Sequence, residues 1–290
     1  MKNQKEHNQL IAVDRQSKAF FSNGTFQWKK SELAIWGHIE SVISEQPAAR
    51  SLTFNFKSTV LAIAASILLI TGIGSFLRFY TTKITTTAGQ HQLVELPDGS
   101  TVNLNAESTI QYYPYWWRFN RHVKFEGEGL FNVQKGKKFT VSSPLGTTEV
   151  LGTSFNIFSR EEIYKVTCLT GSVRVTSKTK NQVILKPNSK AEVQANGKIH
   201  VQHNIDTYPE ISWKKNIFLF TATPVMEVFY EIERQYGVTI KTKFNSSALY
   251  TGNFTKQQDV EEILGYVCPA LGLKYMKKSA TEYFVTQQNE

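Results

Sequence analysis

The sequence predicts a membrane-tethered, mainly β protein: a short α-helical N-terminal segment, a single transmembrane helix, an all-β domain, then a small α+β domain of β-α-β-β-α-β order. Three observations predict it. Residues 58–77, STVLAIAASILLITGIGSFL, are twenty consecutive residues without a charge. Between residues 88 and 205 short alternating stretches recur with no helical period, punctuated by Gly127, Gly129, Gly136, Gly146, Gly152, Gly171 and Gly197. From Trp213 onward helical spacing returns, interleaved with strands. The expected divisions are 1–57, 58–77, 80–205 and 213–290.

The first 21 residues are polar, with Leu10, Val13, Phe20 and Phe21 as a loose helical stripe that ends at the turn signal Ser22-Asn23-Gly24. SELAIWGHIESVISEQP is a firmer helix. Ser31 caps it, Glu32 lies in its first turn and Pro47 closes it. Ile35, Trp36, Ile39, Val42 and Ile43 then share one face, while His38 is a solvated residue. A segment this short sits near the lower limit for an independent core. Its apolar face therefore packs against the preceding helix, meets a protein partner or lies on lipid headgroups.

The uncharged run is long enough for a bilayer, since a helix rises ~1.5 Å per residue and the hydrocarbon core is roughly 30 Å thick. Its position 57 residues in and the lack of a small-x-small site after it argue against a cleaved signal; its length argues against a buried core helix. Flanking charge does not orient it. Arg50 and Lys57 precede the span, Arg78 and Lys83 follow it, and the positive-inside count is tied.

Beyond the span, Leu93 to Leu104 form a hairpin around Pro97-Asp98-Gly99. HVKFEG, GLFNVQ, FTVSSP, TEVLG, SFNIFS, YKVTCLTGSVRVTS, VILKP, KAEVQAN and KIHVQH are the strands that follow. Cys168 shares a strand face with Val166 and is expected as a core thiol; with Cys268 as the other cysteine, a disulfide stays open. After Trp213, NIFLFTAT is a strand and PVMEVFYEIERQYG a helix with Pro224 at its start and Gly237 past its end. Its core face is Val225, Val228, Phe229 and Ile232. VTIKTKF and YTGNFT are strands, DVEEILGYVCPALGL a helix opened by Asp259, and KYMKKS with EYFVTQ a terminal hairpin.

The net charge of +9 is diffuse, with eight basic against five acidic residues before position 58 and 25 against 19 after it. No basic run exceeds a Lys-Lys pair, so no direct nucleic-acid partner is expected. Catalytic signatures such as G-x-S-x-G, H-E-x-x-H, a P-loop or C-x-x-C do not occur, and neither an enzyme nor a cofactor is expected. His200 and His203 fall on opposite faces of a strand, which does not suit a metal. One run stands out: Tyr112, Tyr113, Tyr115, Trp116 and Trp117, around Pro114. Rings in this number serve a sugar platform, a membrane-interface belt or a protein contact, or else cover one end of the β domain. A membrane-tethered receptor for carbohydrate or protein is accordingly one functional reading.

LVELPDGSTVNLNAESTIQY, VKFEGEGLFNV, FTVSSPLGTTEVLGTSFNIF and VTCLTGSVRV together resemble the periplasmic domain of the FecR family, single-pass regulators of extracytoplasmic-function (ECF) sigma factors. Trp213, Phe220, Pro224 and Tyr236-Gly237 resemble the domain that follows it in Bacteroidetes-type members, itself similar to the short N-terminal (STN) fold of secretins and TonB-dependent proteins. The resemblance implies an inner-membrane anti-sigma factor with a cytoplasmic N-terminus and a periplasmic C-terminal region. Its implied partners are an ECF sigma factor inside, the signalling domain of a TonB-dependent outer-membrane transporter outside, and membrane lipid between. On that reading Ile35, Trp36, Ile39, Val42 and Ile43 form the sigma-facing surface, and the aromatic run is a periplasmic contact.

Overall fold

A computed structural model describes Lys18 and residues 31–44, 56–243 and 247–288. The stripe expected of Leu10, Val13, Phe20 and Phe21 lies outside the described residues. Two compact units divide the chain, Met1–Ala65 and Ser66–Glu290.

In the first unit, helix α1 spans Glu32–Ser44. Ser31 starts it: its carbonyl accepts from the Ala34 and Ile35 N–H groups, and its hydroxyl lies 3.4 Å from the Ala34 nitrogen. Helix α2, Phe56–Phe79, encloses the uncharged run with two extra residues at either end and has no buried residue. Among the described residues it is the one helix long and apolar enough to cross a membrane.

Thirteen strands follow as β1 (Thr82–Thr85) to β13 (Ile199–His203). They form two seven-stranded layers that share one strand, β5 (Arg121–Asn132). One layer runs β1-β4-β5-β6-β7-β10-β11 and the other β2-β3-β5-β8-β9-β12-β13. The first half of β5 pairs with β4 (Thr109–Tyr112) and, in parallel, with β6 (Phe139–Ser143). Its second half pairs with β3 (Thr101–Leu104) and β8 (Ser154–Arg160). HVKFEG and GLFNVQ are therefore a single strand, not two. Gly127, at φ +111°, carries the chain from one layer to the other; a Cβ there would fall 2.4 Å from the Ser108 hydroxyl oxygen. YKVTCLTGSVRVTS does the reverse. It divides at Leu169–Ser172 into β9 (Ile163–Cys168) and β10 (Val173–Ser177), which lie in different layers.

Alternation seals the core. Val123, Phe125, Val141 and Val175 from one layer meet Leu104, Phe155, Ile157 and Val166 from the other. Phe131 stacks on Phe155 at 5.1 Å between ring centres. The Tyr164 hydroxyl, fully buried, is satisfied by Thr148 at 2.7 Å. The expected hairpin is present as β2 (Gln92–Glu95) on β3, with Val94 opposite Val102. Gly99 at φ +78° and the Asp98 carboxylate, which accepts from the Ser100 N–H, make its turn.

A short helix, α3 (Tyr208–Ile211), and a 3₁₀ turn lead to β14 (Ile217–Pro224), α4 (Val225–Tyr236), β15 (Thr239–Thr242), β16 (Leu249–Thr255), α5 (Val260–Ala270), β17 (Leu273–Lys277) and β18 (Glu282–Gln287). Gly237 ends α4 in the left-handed conformation, its N–H bonding the Glu233 carbonyl; Asp259 caps α5 by accepting from the Glu262 N–H at 2.7 Å. Val225, Val228, Phe229 and Ile232 are buried with Ile263, Leu264 and Val267 in a second core. Cys168 lies in the first core and Cys268 in the second, neither in a disulfide. Burial pushes the thiols up to about 11 and about 12.

Candidate functional site

Three regions are candidates for a functional role, and the first is α1. Trp36 is 62% exposed, Ile39, Val42 and Ile43 are exposed, Ile35 is half-buried, and no residue of the helix is buried. Four of the five residues that share a helical face thus point outward, together with Leu33. An uncovered stripe of this size is unusual for a helix at rest in water.

The second is the aromatic run, which the structure divides. Tyr112 and Trp117 are corrected from contact residues to core residues: Tyr112 closes β4, and Trp117 folds back edge-on against Tyr112 and Phe139, both at 5.7 Å. Alternation along β4 and the tight turn after it force them inward. Tyr113 is half-buried. Tyr115 and Trp116 point the other way, Tyr115 lying 5.4 Å from Tyr80, and Trp116 under the Arg78 guanidinium at 4.8 Å.

The third, which sequence reasoning missed, is a buried polar junction between the β layers and α4. Glu128 on β5 accepts from the side-chain amides of Asn105 at 2.7 Å and Asn156 at 3.0 Å. From α4, Gln235 donates to Asn105 at 2.9 Å and to Glu231 at 2.8 Å, and Glu231 accepts two bonds from Arg234. Arg160 donates to the Ala106 and Glu107 carbonyls. His91 bonds the Gln235 side chain at 3.2 Å and stands edge-on to Trp213. Gly89 completes the seam: its N–H donates to the Arg234 carbonyl, and its own carbonyl accepts from Lys256. Burial, with Glu231 nearby, lifts Glu128 to about 7 against the opposing pull of Arg160 and the two asparagines. Burial, with Lys256 nearby, holds His91 below its usual value. The available sequence signal was Glu128, set between Gly127 and Gly129 in FEGEGLF.

This arrangement ties α4 to the β layers through side-chain and backbone bonds. Among the described residues no group of three or more His, Cys, Asp or Glu could hold a metal. Comparison with known proteins gives the same domain order. A family model described as "FecR protein" matches residues 82–174, and one described as "FecR, C-terminal" matches residues 217–284. Two crystal structures of a candidate anti-sigma factor from Parabacteroides distasonis ATCC 8503 are similar in fold. That solved at 2.50 Å has a TM-score of 0.66 at 27% identity and covers 72% of this chain and 99% of its own. The other, at 1.65 Å, has a TM-score of 0.66 at 28% identity, covering 71% and 99%. Among curated proteins, none matches. The chain belongs to the FecR family.

Proposed function

We propose that this protein is a single-pass inner-membrane anti-sigma factor that relays a periplasmic signal to an ECF sigma factor. Residues 1–57 are cytoplasmic and hold the sigma factor, 58–77 cross the membrane, and the FecR-like β domain (80–205) and STN-like α+β domain (213–290) are periplasmic. The outer partner is the signalling domain of a TonB-dependent outer-membrane transporter. Family membership supports a sigma-factor partner. The observation that supports the assignment of the binding surface is the apolar face of α1: Trp36, Ile39, Val42 and Ile43 are exposed and Ile35 half-buried, and among the described residues none seals the stripe.

Such a relay needs no cofactor. Its output is a difference in affinity for the sigma factor between two states of the outer region. The test is co-purification of the full chain with each ECF sigma factor of the same genome in turn. Trp36→Asp is expected to abolish co-purification while membrane insertion stays intact; retained co-purification would contradict the assignment.

A further inference from the structure

We propose that the loop between β4 and β5 is a membrane-interface anchor that seats the β layers on the bilayer. The proposal rests on the reading that α2 spans the membrane. Only Tyr80 and Thr81 separate the end of α2 at Phe79 from the start of β1 at Thr82. Strand β1 pairs with β4 in a register that sets Thr82 opposite Tyr112. The loop leaves β4 immediately after Tyr112, so the chain topology delivers residues 113–120 to the exit of the helix.

The side chains there fit lipid headgroups. Phe76, Tyr80 and Tyr115 form one ring cluster, with centres 5.3–6.4 Å apart. Trp116 and Phe119 form a second at 4.7 Å, capped by Arg78. Tyr115 and Phe119 are exposed, Phe119 by 70%, and Phe79 beside them is exposed as well. An exposed phenylalanine gains from leaving water, whereas tyrosine and tryptophan place an apolar ring in the acyl boundary and a polar tip in the headgroups. Behind the rings, Arg118, Lys135 and Lys137 line a shallow cleft and are exposed, while the neighbouring Arg121 is neutralised by Asp98. Three exposed cations beside an aromatic belt suit anionic phosphates. The buried Trp117 and Tyr112 pin the loop from behind, so the belt is held rigidly in place. Continuity with the span selects lipid over a protein partner as the occupant.

The test uses the full chain in nanodiscs of phosphatidylethanolamine and phosphatidylglycerol. Asn120→Cys and, separately, Ile70→Cys carry an environment-sensitive thiol fluorophore, which leaves the buried Cys168 and Cys268 unmodified. Doxyl groups near the headgroup should quench the label at position 120 at least twofold more than doxyl groups at mid-chain, and the order should reverse at position 70. Replacing Tyr115 and Trp116 by Ala should at least halve the quenching at 120. A label at 120 that keeps water-like emission while that at 70 is quenched would overturn the anchor, leave the span standing and assign the rings to a protein contact. Absence of quenching at both positions would overturn the span and the anchor with it.

Discussion

Helices α1 and α4 are 13 and 12 residues long, and both carry apolar residues at helical spacing, yet one stripe is exposed and the other is sealed. In α4, Val225, Val228, Phe229 and Ile232 are buried, and the polar residues Glu231, Arg234 and Gln235 are buried too, in the junction with the β layers. In α1 no residue is buried. A period of 3.6 says that a face wants cover; it does not say whether the cover belongs to the same chain. The sealed helix builds the fold, and the bare one is the face proposed above to receive the sigma factor.

The largest expected effect is on the sealed side. Phe229→Ala should cost about 3–5 kcal/mol through lost burial and the cavity left behind. Denaturant unfolding of the full chain in detergent, followed by protease resistance of the C-terminal region, measures it. A loss well under 1 kcal/mol would mean that the stripe of α4 is not a core face. Trp36→Asp should show the converse, weakening sigma-factor binding at least tenfold, as for an exposed aromatic anchor worth about 2 kcal/mol or more. The same change should move the unfolding midpoint by no more than the equivalent of about 0.5 kcal/mol. A variant that unfolds the chain would show α1 to be internally packed.

Glu128 sharpens the comparison through pH. Its carboxyl binds a proton more tightly folded than unfolded, so it contributes stability below the ordinary carboxylate range. That contribution is lost as pH rises through about 7. The lowered value of His91 acts oppositely, costing stability as pH falls below its usual range. The difference between wild type and Glu128→Gln isolates the carboxyl. Between pH 5 and pH 8 it should swing by about 2 kcal/mol in favour of the glutamine variant, read from unfolding midpoints at the two pH values. An unchanging difference would mean that the junction admits water.

Gly89→Ala probes the same seam by shape. The residue sits at φ +68°, and a Cβ would fall 2.8 Å from the Gln235 carbonyl oxygen. A cost of about 1–2 kcal/mol is expected, visible as a lower unfolding midpoint; no change would show that α4 can move away from the β layers freely.

Much of this division was legible in the sequence. Ser31, Asp259 and Gly237 mark helix ends by local chemistry, and Pro97-Asp98-Gly99 marks a turn for the same reason. Local signals failed where geometry depends on distant chain. Glycine in FEGEG looks like a strand break, but here it is a corner between layers, since β5 finds new partners on the far side of Gly127. Thr82–Thr85 and Thr109–Tyr112 are too short to advertise themselves as strands, and they become visible through their mutual pairing. The Asn105–Gln235 bond joins residues 130 positions apart, where no period reaches. In the aromatic run Tyr112 and Trp117 turn inward on a pleat that composition does not encode, while Tyr115 stays exposed.

The bare face of α1 is the proposed sigma-docking surface. Amide hydrogen exchange over Glu32–Ser44, measured on the full chain in nanodiscs with and without the ECF sigma factor, tests it most directly. Exchange in this helix should be fast alone and slow at least tenfold on sigma binding, with α4 protected in both states. Unchanged exchange in α1 while the sigma factor is bound would contradict it.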